Sequence, residues 1–145
     1  MRVCPSVGSR KIRHTVLAGD YLKRGVAEFI GTFALIFIGA GSIMTASELA
    51  GGGYALIGIA AAHGFVLVIF ISALGHISGG HFNPAVTLAA FIRGKCPKGD
   101  IIPYLVAQFG AAMCAAALTC WIAGEVAAPA LRGTIPSAVV EFLFT

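Results

Sequence analysis

Charged side chains are scarce in this chain. Asp, Glu, Lys and Arg make up 11% of its 145 residues and hydrophobic residues 58%. In soluble domains, charged residues make up about a quarter of the chain and hydrophobic residues about half. Ordinary soluble enzymes and disordered segments need more polar surface than this, so the composition excludes both classes. The deficit of charge indicates a protein that lies in a membrane.

Cysteine is also rare, and its positions exclude two kinds of scaffold. The cysteines are Cys4, Cys96, Cys114 and Cys120. No two of them have the spacing of a zinc finger, and the last two lie inside an apolar run, which does not suggest a disulfide framework. We expect them to be buried small residues or free thiols.

Basic residues outnumber acidic ones, and a net charge of +4 could indicate nucleic-acid binding. Their positions argue against that interpretation. Six of the ten Lys and Arg residues precede Gly25, and three lie between Arg93 and Lys98. Basic clusters beside apolar runs are typical of the cytoplasmic side of membrane proteins. No nucleic-acid partner is predicted.

Three apolar runs are long enough to cross a bilayer, which takes about 20 residues as a helix. They are residues 25–46, 54–74 and 101–124, and a further run begins at residues 138–145. The sequence therefore predicts an all-α membrane protein with three transmembrane helices and the start of a fourth span.

The segment between the second and third runs is too short to cross. Only residues 84–92 are apolar and helical in character, about half the length of a span. We expect a re-entrant half-helix that enters and leaves on one side. The charges agree, because the N-terminal tail and the cluster at Arg93 to Lys98 share the cytoplasmic side only if an even number of spans separates them.

The basic tail of residues 1–24 has no apolar stretch, so no cleavable signal peptide is predicted. We expect a solvated cytosolic tail that orients the chain, in preference to a segment that recognises a specific lipid. The N-terminus is therefore predicted to be cytoplasmic, and the membrane domain to cover residues 25–145.

The opening of the first span recurs at the end of the chain. Residues 27–32 and 140–145 each place a Glu early in a span and a Thr one helical turn later. Three spans per repeat make the second copy enter from the opposite side. We expect a first repeat over about residues 25–124 and the start of a second at about 138–145, which is a truncated inverted-repeat bundle.

The strongest local signal is Asn83-Pro84-Ala85. Asn is a favoured N-cap, and Pro84 at the first helical position loses no needed hydrogen bond. The half-helix is thus predicted to begin inside the membrane, where the positive end of its dipole points at whatever lies there. Irregular backbone at residues 78–81 is tolerated at that depth only inside protein or beside a water-filled cavity. The sequence therefore predicts a pore or a binding cavity beside these residues.

These residues resemble the major intrinsic protein family, the aquaporins and glycerol facilitators, over residues 23–145. The resemblance rests on the Ala27-Glu28-Phe29 opening with its repeat, and on the motif Ser78-Gly79-Gly80-His81-Phe82-Asn83-Pro84-Ala85-Val86-Thr87. It implies six spans, two half-helices that meet at the midplane, and a homotetramer with one pore per subunit. The chain lacks the later spans, the second Asn-Pro-Ala and the arginine after it. We therefore expect a truncated subunit that does not conduct alone.

The resemblance implies a passive channel for water and small uncharged solutes. Its pore-lining residues would be Asn83, Pro84, Ala85, Gly79, Gly80 and His81. Asn83 would donate a hydrogen bond to the passing oxygen, backbone carbonyls near the glycines would accept, and the half-helix would repel cations and protons. His63 falls at the constriction position of the second span, where plant vacuolar-type members are similar in having His. The alternative role for His63 is a hydrogen bond to a neighbouring helix.

Three further polar residues are expected to support the re-entrant loop. The resemblance implies that Glu28 braces the loop's backbone, with His76 as a candidate partner. Gln108 in the third span has two alternatives, a pore role and an interhelical hydrogen bond, of which the second is favoured.

Other functions stay open from the sequence. A glycerol-type facilitator belongs to the same family, and the residues that would decide lie in the second half. From another class, His63, His76 and His81 could form a membrane-embedded metal site or metalloenzyme, although no carboxylate lies close to them in sequence. The chain could also be a non-conducting assembly partner or a gene-calling artefact. We expect no enzyme activity, cofactor or metal, and expect water, small uncharged solutes and the bilayer as partners.

The positions of the basic clusters predict the topology. Single cysteines at Lys11 and Lys98, in a cysteine-free background, should both react with a membrane-impermeant thiol reagent only from the cytoplasmic side. Labelling of intact and inverted vesicles measures this. Reaction of the Lys98 position from outside would mean that residues 84–92 cross the membrane.

Overall fold

The computed structural model describes residues 18–49 and 53–123. The helices in these ranges are α1 (Ala18–Leu49), α2 (Gly53–Ser78), α3 (Pro84–Ile92) and α4 (Ile101–Ala123). A short 3-10 turn at Lys98–Asp100 leads into α4. Both described ranges are free of β-strand, which agrees with the predicted all-α class. The predicted run at residues 138–145 lies outside the described residues.

Three helices in the described part of the chain are long and apolar enough to cross a membrane, which confirms the predicted spans. They supply the stretches Gly19–Ala46, Ala55–Ser78 and Lys98–Ile122. Each exposes large apolar side chains, among them Leu56, Phe65 and Met113. Such surfaces are unfavourable in water and suit the acyl chains of a bilayer.

Two helix boundaries differ from the sequence prediction by four residues or more. α1 begins at Ala18, inside the predicted tail, because Lys and Arg are good helix formers and Asp20 in the first turn complements the helix dipole. α2 continues past the predicted residue 74 to Ser78. Ser78 is therefore helical, and the irregular backbone starts only after it. α3 occupies residues 84–92 as predicted.

Small and polar side chains, with few large apolar ones, fill the contacts between helices. α1 packs against both α2 and α4, and α3 packs against α4. Ala27 on α1 and Ala111 and Ala115 on α4 are buried. Small residues let helix backbones approach closely, which matters in lipid because burial there gains little hydrophobic energy.

An ion pair ties the start of α1 to the start of α4. The Arg24 Nη1 atom lies 2.5 Å from Asp100 Oδ2, and Asp100 is 1% exposed. Both helix starts therefore lie at the same end of the bundle. This requires α1 and α2 to run in opposite directions and α3 to return without crossing. With nine residues, α3 is only about 14 Å long, too short for a hydrocarbon core of about 30 Å.

The close approach of α1 to the loop before α3 depends on Gly31. A Cβ atom on Gly31 would overlap the ring of Phe82, which is 1% exposed. We expect Gly31→Ala to cost about 1–3 kcal/mol in the free energy of unfolding, because a buried ring must move. Gly25→Ala is the matched control on the same helix, since a Cβ there meets nothing within 4 Å. Unfolding in mixed micelles, followed by circular dichroism, measures both, and equal effects would contradict the prediction.

Candidate functional site

Asn83 begins the half-length helix. Its backbone is extended, with φ −151° and ψ 133°, and its Oδ1 atom accepts hydrogen bonds from the N–H groups of Ala85 (2.7 Å) and Val86 (3.4 Å). Pro84 occupies the first helical turn, where its missing N–H leaves no bond unmade. The side chain thus closes the N-terminus of α3, and the positive end of the helix dipole lies at Asn83.

The loop that precedes Asn83 has an unusual backbone. Gly79, Gly80 and Phe82 all have positive φ values, 98°, 66° and 49° respectively. Glycine adopts this region at no steric cost, whereas Phe82 must be held there by its surroundings. Burial of the Phe82 ring against Gly31 is one such restraint. The turn therefore depends on contacts with α1.

Glu28 on α1 is the hydrogen-bond acceptor for this loop. Its Oε1 atom accepts from Ser78 Oγ (2.6 Å) and from the N–H of His81 (3.0 Å). Its Oε2 atom accepts from the N–H of Phe82 (2.6 Å) and from Gln108 Nε2 (2.9 Å). Glu28 is fully buried. One carboxylate therefore joins α1, the end of α2, the loop and α4.

α4 holds the other side of the loop through Gln108 and Tyr104. Gln108 Nε2 also donates to Thr87 Oγ1 on α3 at 2.9 Å, so this side chain links three helices. The Tyr104 hydroxyl donates to the backbone carbonyl of Ser78 at 2.6 Å. Both residues are buried and lie one helical turn apart on the same face of α4.

His81 lies between Thr87 and Tyr104. Its Nδ1 atom is 3.2 Å from Thr87 Oγ1, and its ring meets the Tyr104 ring edge-on at a centroid distance of 5.5 Å. The Thr87 hydroxyl donates its only hydrogen to the Asn83 carbonyl at 3.1 Å, so it accepts from His81. In the neutral ring, this arrangement favours the tautomer with the hydrogen on Nδ1, which leaves Nε2 as an acceptor. His81 itself is half-buried.

The structure brings most of the predicted site residues together and separates two of them. The cluster around Glu28 and Gln108 contains the predicted loop residues Gly79, Gly80, His81, Asn83, Pro84 and Ala85. His76 is exposed on α2, and Ser78 takes the place on Glu28 that was predicted for His76. Thr87 and Tyr104 also belong to this cluster, although neither was among the predicted site residues. Their spacing of four residues from Asn83 and Gln108 is the signal that could have found them.

His63 lies on α2 against α1. Its Nδ1 atom is 2.9 Å from the carbonyl oxygen of Ile59, one turn earlier, and its ring packs on Gly39. The ring is half-buried. This arrangement matches the helix-neighbour alternative, and part of the side chain remains exposed.

Within residues 18–49 and 53–123, no group of three or more His, Cys, Asp or Glu side chains is placed to hold a metal ion. His63, His76 and His81 occupy separate environments, on Gly39, at the surface of α2 and beside Tyr104. The alternative of a metal site built from these three residues gains no support from their placement.

Three spanning helices and a half-length helix, anchored at its N-terminus by a buried carboxylate, define an integral, multi-pass membrane protein. The family model described as Major intrinsic protein matches residues 16–143. The chain therefore belongs to the major intrinsic protein family.

Relatives of this chain carry aquaporin names. Aquaporin Z from Photorhabdus laumondii is 40% identical over 72% of this chain and 46% of its own length. Aquaporin Z from Brucella melitensis is 47% identical over 63% of this chain and 40% of its own length. A "Probable aquaporin TIP-type" from Medicago truncatula is 40% identical over 87% of this chain and 54% of its own length. The chain thus spans about half the length of the curated relatives it matches.

The contacts of Glu28 predict a graded series of variants. Glu28→Gln replaces one acceptor oxygen with a donor, so one N–H group of the loop, that of His81 or that of Phe82, loses its partner at about 1–3 kcal/mol. Ser78→Ala removes a donor and leaves the carboxylate in place, so its cost should be smaller. Unfolding in mixed micelles and proteolysis at residues 79–82 measure both variants. A loss for Ser78→Ala equal to that for Glu28→Gln would contradict the role of the carboxylate.

Proposed function

We propose that this chain forms one half of a passive pore for water and small uncharged solutes, and that complete subunits, each with one whole pore, assemble as a homotetramer. The observation that carries the proposal is the loop held by Glu28 in front of the Asn83-capped half-helix. Irregular backbone at this depth is tolerated in lipid only when it is buried in protein or lines a water-filled cavity. The aquaporin names of its relatives support the same function.

The direction of the loop's carbonyl groups supports a lining role. The N–H groups of His81 and Phe82 point at Glu28, and the described chain has no cis peptide bond. In a planar trans peptide, the C=O of one residue points opposite to the N–H of the next. The carbonyl oxygens of Gly80 and His81 therefore point away from Glu28. Acceptors on that side would replace the hydrogen bonds that a water molecule leaves behind in bulk solvent.

The half-helix would supply selectivity against charge. Its N-terminus at Asn83 presents the positive end of the α3 dipole, which repels cations and protons. Aquaporin selectivity generally depends on pore diameter, lining hydrogen-bond groups and half-helix dipoles, and the same three factors would act in this pore. His63 would stand at the constriction, with the exposed part of its side chain toward the lumen.

The proposed pore needs a second half-helix opposite Asn83. The described residues contain one, α3. The chain carries one Asn-Pro-Ala, at residues 83–85, and the second half-helix would come from another chain. We therefore expect vesicles that contain this chain alone to shrink under osmotic stress no faster than empty vesicles. The N-terminus and the Arg93 to Lys98 cluster would face the cytoplasm, with residues 1–24 as a tail and 25–145 as the membrane domain.

A chimera tests the proposal. Residues 18–123 should replace the matching segment of Aquaporin Z from Brucella melitensis, and the chimera should raise water permeability above that of empty vesicles. Asn83→Asp in this chimera keeps the N-cap but exchanges an amide donor for a negative charge. Water flux should therefore fall and exclusion of cations should weaken.

Thr119→Val is the matched control, because the Thr119 hydroxyl bonds only the Ala115 carbonyl within α4 among the described residues. It should leave water flux unchanged. Stopped-flow light scattering measures water permeability, and a pH-sensitive dye or potassium efflux measures leak. A chimera that assembles correctly yet passes no water would contradict the proposed function.

A further inference from the structure

The ring of His63 has a fixed hydrogen on one nitrogen. Nδ1 lies 2.9 Å from the carbonyl oxygen of Ile59. A carbonyl oxygen only accepts hydrogen bonds, so Nδ1 is the donor. In a neutral imidazole the other nitrogen, Nε2, is then an acceptor without a hydrogen.

The position of this ring depends on the absence of a side chain at Gly39. Gly39 is buried on α1. A Cβ atom built there would lie 2.5 Å from Nε2 of His63, 3.1 Å from Cε1 and 3.2 Å from Cδ2. Unstrained contacts between such atoms need about 3.5–4.0 Å. The ring occupies the space that any other residue at position 39 would fill.

We propose that Gly39 is a positioning residue for His63 and thereby a determinant of solute specificity. By leaving room for the ring against α1, it keeps Nδ1 on Ile59 and Nε2 as an acceptor, and it keeps the bulk of the ring out of the lumen. The placement of the ring follows from its distance to Ile59 and from its contact with Gly39. The effect on specificity rests on the proposed function, in which His63 borders the pore.

A methyl group at position 39 has a defined consequence. α1 itself is not expected to unfold, because Ala is a better helix former than Gly. The side that gives way is the end of the His63 side chain, which must turn away from α1. A planar ring moves as one body, so this displacement also takes Nδ1 away from Ile59. The ring moves away from α1, which in the proposed pore is toward the lumen.

Gly41 provides a closely matched control. It lies on the same helix two residues later, and a Cβ atom there meets nothing within 4 Å. The carbonyls of both glycines accept a hydroxyl from the following turn, Gly39 from Ser42 (2.7 Å) and Gly41 from Thr45 (2.9 Å). Gly39→Ala and Gly41→Ala therefore add the same group in the same local setting, and differ in whether His63 is in the way.

The first experiment uses the chain itself in lipid bilayers, labelled with ¹⁵N-histidine for solid-state NMR. His63→Asn identifies the His63 signals by their loss. In spectra of the neutral ring, recorded at alkaline pH, we expect the unsubstituted chain to show His63 protonated at Nδ1 and unprotonated at Nε2. Gly39→Ala should shift both signals, and Gly41→Ala should leave them in place. His63 protonated at Nε2, or equal spectra for the two glycine variants, would overturn the inference.

The second experiment measures specificity in the chimera described above. Gly39→Ala should lower the ratio of glycerol to water permeability by up to about tenfold, the smaller end of what one methylene contributes to discrimination in a tight pocket. Gly41→Ala should leave the ratio unchanged. His63→Ala removes the ring, so Gly39→Ala added to His63→Ala should have no further effect.

The two experiments separate the inference from the proposed function. An unchanged ratio in Gly39→Ala, or an equal fall with and without the His63 ring, would overturn the role in specificity. A chimera without any water flux would contradict the proposed pore instead. The NMR spectra do not depend on flux, so they would still decide whether Gly39 positions His63.

Discussion

A backbone that is neither helix nor sheet must find hydrogen-bond partners when it lies in lipid, and one buried carboxylate meets that requirement here. Glu28 accepts from the N–H groups of His81 and Phe82 as well as from side chains of α2 and α4. Burial of a carboxylate in a membrane is costly. Donors from three directions offset that cost, since hydrogen bonds to a charged group are among the stronger ones.

The placement of α3 follows from the hydrogen bonds of Glu28, which anchor the loop before this helix. Within the described chain the half-helix buries little of itself, chiefly Pro84 and Thr87. Its position is therefore set at its N-terminal end, where the loop is fixed by Glu28 and where Thr87 is bonded by Gln108. Phe82 contacts α1 in two ways, because its N–H donates to Glu28 and its ring packs on Gly31. A short helix can be held in this way with polar contacts at one end and few apolar contacts along its length.

Hydropathy and capping chemistry were enough to predict the helices, whereas the polar contacts needed the structure. Long apolar runs and an Asn-Pro step have a direct physical meaning in lipid, so the spans and α3 followed from them. Charge was a poor guide to the start of α1, because Lys23 and Arg24 continue a helix readily. The structure places Ser78 on Glu28 and leaves His76, the predicted candidate partner, exposed, and the reason is geometric. α2 remains helical to Ser78, and residues two apart on a helix point about 200° apart. Both side chains therefore could not face Glu28.

One face of α1 organises both parts of the candidate site. Glu28 and Gly39 lie 11 residues apart, which is close to three full turns of a helix, so they share that face, with Gly31 beside it. On this face the carboxylate holds backbone, and each glycine receives an aromatic ring from another element, Phe82 at one level and His63 at another. Both contacts depend on the absence of a side chain, since each glycine leaves space for the ring and adds no group that needs a hydrogen-bond partner. In the proposed pore, a small residue on α1 would therefore contribute sterically to selectivity through the ring that it positions.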